Sequence, residues 1–233
     1  MLLEFIVQNG EEAKQAEEMG ADRVELVSAI SEGGLTPSYG TMQQVFESVS
    51  IPVQVMIRPH SFHYCYSDDD LDIVRKDIQS LIDLGGKRIV FGVLHHDGTV
   101  HETALQALIE RYPQLDMTFH KAFDEIPSQQ DAYQTLSKYK HNVKRILTSG
   151  GKKDCLSGKE PLHELVKMER ETNGPAIMPG GGLHVGNIAD VHQTVNAEQY
   201  HFGKAVRLHD SFSYPFDDEK INRIKDVIQK GKH

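Results

Sequence analysis

The chain has 233 residues, with 25 lysines and arginines against 34 aspartates and glutamates, a formal charge of −9 with the histidines neutral. A hydrophobic share of 39% and a charged share of 25% are globular values, and a chain this long buries about 70% of its unfolded surface, so neither a disordered chain nor a disulfide-stapled scaffold is expected. The acidic balance, with no long basic run, disfavours nucleic-acid binding; no stretch approaches the ~20 apolar residues of a membrane span.

Glu4 interrupts the apolar run at the start of the chain, where a secretory signal needs an unbroken core. Cys65 and Cys155 stand far apart with no CxxC pattern, which suits a reducing compartment. Cytoplasmic residence is the expectation.

Taken in chain order, eight short β-type runs alternate with helical stretches: LLEFIV (2–7), RVELV (23–27), PVQVMIR (52–58), RIVFGVL (88–94), LDMTFHKA (115–122), KRILTSG (144–150), AIMPGGG (176–182) and EQYHFGKA (198–205). Helices are predicted from near Glu11, Ser38, Thr103, Ser128 and Pro161, and from Asp218 to Ile228. The clearest amphipathic helix places Leu71, Val74, Ile78, Leu81 and Ile82 on one face. Ser67 with Asp68, Asp69 and Asp70 reads as its N-cap and first turn, and Gly85-Gly86 as its stop. No linker divides the series, so one domain over 1–233 is expected, an α/β fold of the (β/α)8 TIM-barrel type, with an open doubly wound sheet as the alternative.

A barrel demands that alternate side chains of each strand face the helices and the interior. By that parity Leu3, Phe5, Val7, Val24, Leu26, Val53, Val55, Ile57, Met117, Phe119, Tyr200 and Phe202 face outward. Glu4, Arg23, Glu25, Gln54, Met56, Arg58, Thr118, His120, Gln199 and His201 face inward. Charges inside a barrel must pair or reach solvent, because an unpaired buried charge costs several kcal/mol.

Ligands of a barrel meet the carboxyl ends of its strands. There lie Glu25, followed by Gly33-Gly34; Arg58; His120 with Asp124; Thr148-Ser149-Gly150-Gly151; Gly180-Gly181-Gly182; and His201, followed by Gly203-Lys204. The glycine clusters, with Ser149, let backbone N–H groups approach a phosphate or carboxylate, whereas a plain tight turn is the simpler alternative. Arg58 offers a fork for the same anion, or could neutralise Glu25. His120 is the candidate general acid/base, with Asp124 or Glu25 to orient it or hold a divalent metal. Lys204 has outward parity, which weakens it as a ligand. Among thirteen histidines, only His60, His63 and Cys65 cluster in the sequence with the donors copper or zinc prefers, without a recognised ligand spacing.

Six ordered blocks, GADRVEL (20–26), GGLTPSYG (33–40), VMIRP (55–59), TFHKAFD (118–124), RILTSGG (145–151) and PGGGL (179–183), resemble the CutC family along nearly the whole chain. The resemblance implies a (β/α)8 barrel, cytoplasmic residence, and a role in copper homeostasis with copper binding. It carries Glu25, Arg58, His120 and Asp124 as site residues. Val27 and Phe5 stand where many relatives have cysteines, so a thiolate copper site at those positions is ruled out, and His60-Ser61-Phe62-His63 replaces a common Arg-Gly-Gly-Asp loop. Two functions follow as expectations: copper handling, for which the soft donors are few, and an enzyme acting on a small anionic metabolite. Partners would be that ligand or a metal ion, with homo-oligomerisation through the outer helices open.

Overall fold

A computed structural model describes residues 1–230. Eight parallel strands run β1 Leu2–Val7, β2 Arg23–Leu26, β3 Val53–Met56, β4 Arg88–Phe91, β5 Asp116–Phe119, β6 Val143–Thr148, β7 Ala176–Pro179 and β8 Gln199–Phe202. They alternate with α1 Gly10–Glu18, α2 Tyr39–Ser48, α3 Asp68–Asp83, α4 Glu102–Arg111, α5 Gln129–Ser137, α6 Lys159–Thr172, α7 Ile188–Val195 and α8 Asp218–Lys230. The hydrogen-bonded order is β7-β6-β5-β4-β3-β2-β1-β8, and a parallel bridge between Gly180 and His201 brings the two ends of the sheet together. That contact curls the sheet into a nearly closed (β/α)8 barrel and removes the open-sheet alternative. None of the helices is long and apolar enough to cross a membrane, among the described residues.

Local signals explain where the helices begin. The Asn9, Ser38, Ser67 and Ser128 side chains each accept a hydrogen bond from a backbone N–H in the first turn of α1, α2, α3 and α5. At α3 the cap is reciprocal, since Asp70 reaches back to the Ser67 N–H. The buried stripe of α3 is Val74, Ile78 and Leu81, while Leu71 and Ile82 are only partly covered, a narrower seam than the sequence pattern implies.

The parity argument holds at the twelve outward positions, all of which belong to the core between strands and helices. Inside the barrel, Arg23 pairs with Glu4 and donates to Gln199 Oε1 and Met178 Sδ, both at 3.0 Å. Arg145 pairs with Asp116 at 2.8 Å and donates to Thr118 at 3.1 Å. The interior is therefore a filled polar layer. Val27, Met56 and Val90, with Ile6 and Ile30 beside them, form a separate apolar group. Except for β1, the strands stop earlier than their β-type runs, because the last residues of each of these runs turn into the loops that build the mouth.

Candidate functional site

A cavity of about 600 Å³ opens at the carboxyl ends of β1, β7 and β8. Ile6, Ile30, Leu183 and Phe212 supply apolar wall; Lys121, Lys204, His184, Asp210 and His201 supply the titratable groups; Gly180, Gly181 and Gly182 form part of the rim. Gly181 and Gly182 have φ of +120° and +68°, a region that side chains disfavour, and a Cβ on Gly181 would stand 2.9 Å from Lys121 Nζ. Their carbonyls accept from the Cys155 N–H at 2.9 Å and from Asn187 Nδ2 at 2.8 Å, while their own N–H groups have no acceptor among the described residues. Free N–H groups beside two ammonium groups suit an anion.

Lys204 enters this cavity against its expected parity. The β8 strand ends at Phe202, and Lys204 begins a short 3-10 turn, so strand alternation no longer applies to it. Gly33 also lines the cavity. Lys121 was not singled out from the sequence, although it directly follows His120 in the TFHKAFD block.

The loop after β6 is different. Its N–H groups already face an internal anion, the carboxylate of Asp124. Asp124 accepts from the Ser149 N–H at 3.1 Å, Ser149 Oγ at 3.0 Å, the Gly151 N–H at 2.9 Å and the Thr148 hydroxyl. The Gly150 N–H donates to Thr148 Oγ1. Ser149 and Gly150 therefore do not present free donors, and Asp124 staples the loop rather than orienting His120. Lys121 Nζ binds Ser149 Oγ at 3.0 Å and Asp124 at 3.2 Å, which holds this lysine at the edge of the cavity.

His201 is tied to two carboxylates from neighbouring strands. Its Nδ1 lies 2.8 Å from Glu4 Oε1 and its Nε2 lies 3.8 Å from Glu25 Oε2. All three are almost fully buried, yet His201 reaches the cavity. Burial raises the Glu4 carboxyl, but Arg23 and His201 outweigh it and bring Glu4 down to about 2. Burial dominates at Glu25, against the pull of His201, and its pKa is pushed up to about 7. For His201 burial acts downward, but Glu25 and Glu4 together hold it above the ordinary histidine value. Glu25 thus changes charge near neutral pH beside a histidine whose protonated form is favoured, and Glu25 Oε1 has no partner among the described residues.

Arg58 and His120 lie elsewhere, around Tyr64. The Arg58 guanidinium sits 4.9 Å from the Tyr64 ring centroid, and its Nη atoms donate to the carbonyls of Glu32, Gly34 and Ser61 at 3.2–3.3 Å. No ion pair joins it to Glu25 among the described residues. His120 is 4% exposed, and burial followed by the Arg58 charge lowers its pKa to about 3. Its Nδ1 accepts from the Ala122 N–H at 3.1 Å, so the ring is neutral with its proton on Nε2. That state does not suit the acid/base role expected of it; His201 has the better environment. Arg58 and His120 do not line the cavity that His201 reaches, although Arg58 Nη1 lies beside Gly33, which does.

His60, His63 and Cys65 do not converge as ligands. The His60 and His63 rings touch at 4.9 Å, His60 Nε2 faces Asp70 at 3.5 Å, and Cys65 donates to the His95 carbonyl at 3.2 Å. Burial pushes the Cys65 thiol up, which disfavours the thiolate a soft metal needs. Cys155 is fully buried with a pKa near 12. Among the described residues the one cluster with ligand atoms within 4.8 Å of one another is Glu4, Glu25 and His201.

The CutC family model matches residues 1–206. The chain belongs to the CutC family. Similar CutC proteins include a human copper homeostasis protein cutC homolog, 37% identical over 200 residues, which cover 86% of this chain and 72% of the relative. A family protein CutC of Photorhabdus laumondii is 38% identical over 74% of this chain and 68% of its own length. A solved CutC structure from Streptococcus agalactiae has a TM-score of 0.79 at 29% identity, covering 87% of this chain and 98% of that one. Phosphoribosylanthranilate isomerase from Pyrococcus furiosus, TM-score 0.63 and 13% identical with 99% of both chains covered, shares the barrel alone.

The copper-homeostasis name invites a test of the donor set. Two hard carboxylates and an imidazole, with the Arg23 cation against one of the carboxylates, do not fit Cu(I). The buried thioether of Met178 already accepts from Arg23, the partner of Glu4.

Proposed function

We propose that this CutC protein is an enzyme acting on a small organic anion bound in the cavity at the ends of β7, β8 and β1. The observation that carries the reading is the meeting, in one cavity, of acceptor-free N–H groups at Gly181 and Gly182, two lysine ammonium groups, and an imidazole backed by two carboxylates. The anion sits on Gly181, Gly182, Lys204 and Lys121, and its carbon skeleton lies along Ile6, Leu183 and Phe212. Glu4 fixes the His201 ring through Nδ1. The Nε2 end of His201 then gives or takes a proton at the ligand, and Glu25 carries the compensating charge.

Calorimetric titration with inorganic phosphate tests the anion half. A charge-assisted contact contributes roughly 1.5–3 kcal/mol, so Lys204→Ala lowers phosphate affinity about 10-fold or more, and Gly181→Ala does the same by displacing the loop. Phosphate binding that ignores both substitutions refutes the assignment. The proton-transfer half predicts that His201→Asn abolishes turnover of any substrate found among small metabolite anions while phosphate still binds.

A second reading, copper handling, is favoured by one observation, the Glu4–Glu25–His201 cluster. Here the metal would be cargo, and the donors suit a divalent ion better than Cu(I). Tight metal binding that Glu25→Gln removes would support it over the enzyme reading.

A further inference from the structure

Seven buried side-chain polar atoms lack a partner among the described residues, and four of them fall in one neighbourhood: Arg58 Nε, His60 Nδ1, the Tyr66 hydroxyl and His120 Nε2. Arg58 and His120 flank the same Tyr64 ring, with centroid distances of 4.9 and 4.7 Å. The His60 ring lies 5.3 Å from that of Tyr66. Arg58, Tyr66 and His120 are 6%, 7% and 4% exposed, so solvent does not satisfy them. Three of the four atoms are donors. Arg58 Nε always carries its proton; His120 Nε2 carries one because Nδ1 is an acceptor toward Ala122; Tyr66 stays a phenol because burial pushes its pKa up. His60 Nδ1 is the acceptor of the group, its Nε2 being turned to Asp70.

Native proteins seldom leave one buried donor unpaired, and three in one neighbourhood, two of them on residues that flank the same Tyr64 ring, point to an absent acceptor. We infer that Arg58, Tyr66 and His120 form a second binding niche, separate from the β7–β8 cavity, that takes the carboxylate of a small organic acid. A carboxylate brings acceptors only, enough for all three donors, and its single negative charge matches the one guanidinium, the histidine and tyrosine being neutral. The three contacts Arg58 makes through Nη hold the surrounding loops in place, so its Nε is left for the ligand. The niche adjoins the cavity through Gly33, where a Cβ would stand 3.2 Å from Arg58 Nη1.

The test uses the full chain with acetate and inorganic phosphate as separate probes, read by calorimetry and by imidazole nitrogen NMR. Acetate should shift the His120 Nε2 signal, and Tyr66→Phe should weaken acetate binding tenfold or more while leaving phosphate binding unchanged. In the ligand-free protein Tyr66→Phe should leave the melting temperature unchanged or raise it, since the hydroxyl has the Arg58 guanidinium nearby but meets no partner at hydrogen-bonding geometry among the described residues. An unmoved His120 signal at the highest soluble acetate concentration overturns the inference. So does equal acetate affinity in Tyr66→Phe, or a lowered melting temperature, which would assign the hydroxyl a structural bond. Acetate binding without phosphate binding would defeat the proposed anion site at Gly181 and Gly182 and leave this niche standing.

Discussion

Replacing Glu25 by glutamine removes an almost fully buried carboxyl whose charge the fold disfavours. Glu25 is 2% exposed, and its pKa in the folded protein is about 7, against an ordinary value of 4.5. A carboxyl raised on folding stabilises the native state below its unfolded pKa, and that contribution is lost as the pH climbs through the folded value. Below about pH 4.5 the protonated acid and the amide are near equals, whereas by pH 8 the unmodified protein holds a buried carboxylate and the variant does not. The interval of 2.5 pH units corresponds to about 3 kcal/mol in favour of Glu25→Gln.

For a chain of this size that is roughly 6–12 °C in melting temperature. Urea denaturation of both proteins at pH 5, 6, 7 and 8 should show a stability difference that opens with pH and levels off. A difference independent of pH, or one favouring the unmodified protein at pH 8, refutes the description of the Glu25–His201 pair.

Glu4→Gln should act oppositely at neutral pH, costing about 3–5 kcal/mol in urea melts, because Arg23 is left buried without its counter-charge; the stability Glu4 contributes above about pH 4.5 disappears as the pH falls toward 2. Asp124→Asn should destabilise by about 3 kcal/mol and loosen the β6 loop, visible as faster hydrogen exchange at Ser149 and Gly151, whose N–H groups it accepts. Ile78→Ala, at a fully buried position of α3, should cost about 2–5 kcal/mol through the cavity it leaves. Anaerobic Cu(I) titration should show no tight site, and Cys65→Ser and His63→Ala should leave the isotherm unchanged; a tight site lost in either variant would show that the 60–65 segment rearranges to bind copper.

Much of the architecture is already in the order of residues. Eight β-type runs alternating with amphipathic stretches leave little besides a barrel, and the alternation of Leu3, Glu4 and Phe5 or of Met117, Thr118 and Phe119 sorts helix-facing from interior side chains without coordinates. Side-chain direction in a strand is a local, two-residue property, so parity survives folding intact. The Ser67 cap of α3 is legible for the same reason, since its partners lie within three residues. The open-sheet alternative could be set aside only by the contact between Gly180, just past β7, and His201 of β8, which are 21 positions apart and meet only where the sheet closes.

The site divides along the same line. That His201, Glu4 and Glu25 face inward follows from parity, but that they touch one another, while Arg58 and His120 form a different group, depends on strand order and on rotamers that three-dimensional packing selects. Asp124 looks like a catalytic carboxylate in the TFHKAFD block and is a loop staple, because Thr148, Ser149 and Gly151 arrive beside it from 24 to 27 residues away. Lys204 shows the limit of local rules most simply: strand alternation assigns it outward, and the chain leaves the strand two residues before it. Periodicity decides which face a side chain takes, since each residue sees only its own backbone. Which charges meet, and which donors are left unpaired, is decided by segments that come together only when the barrel closes.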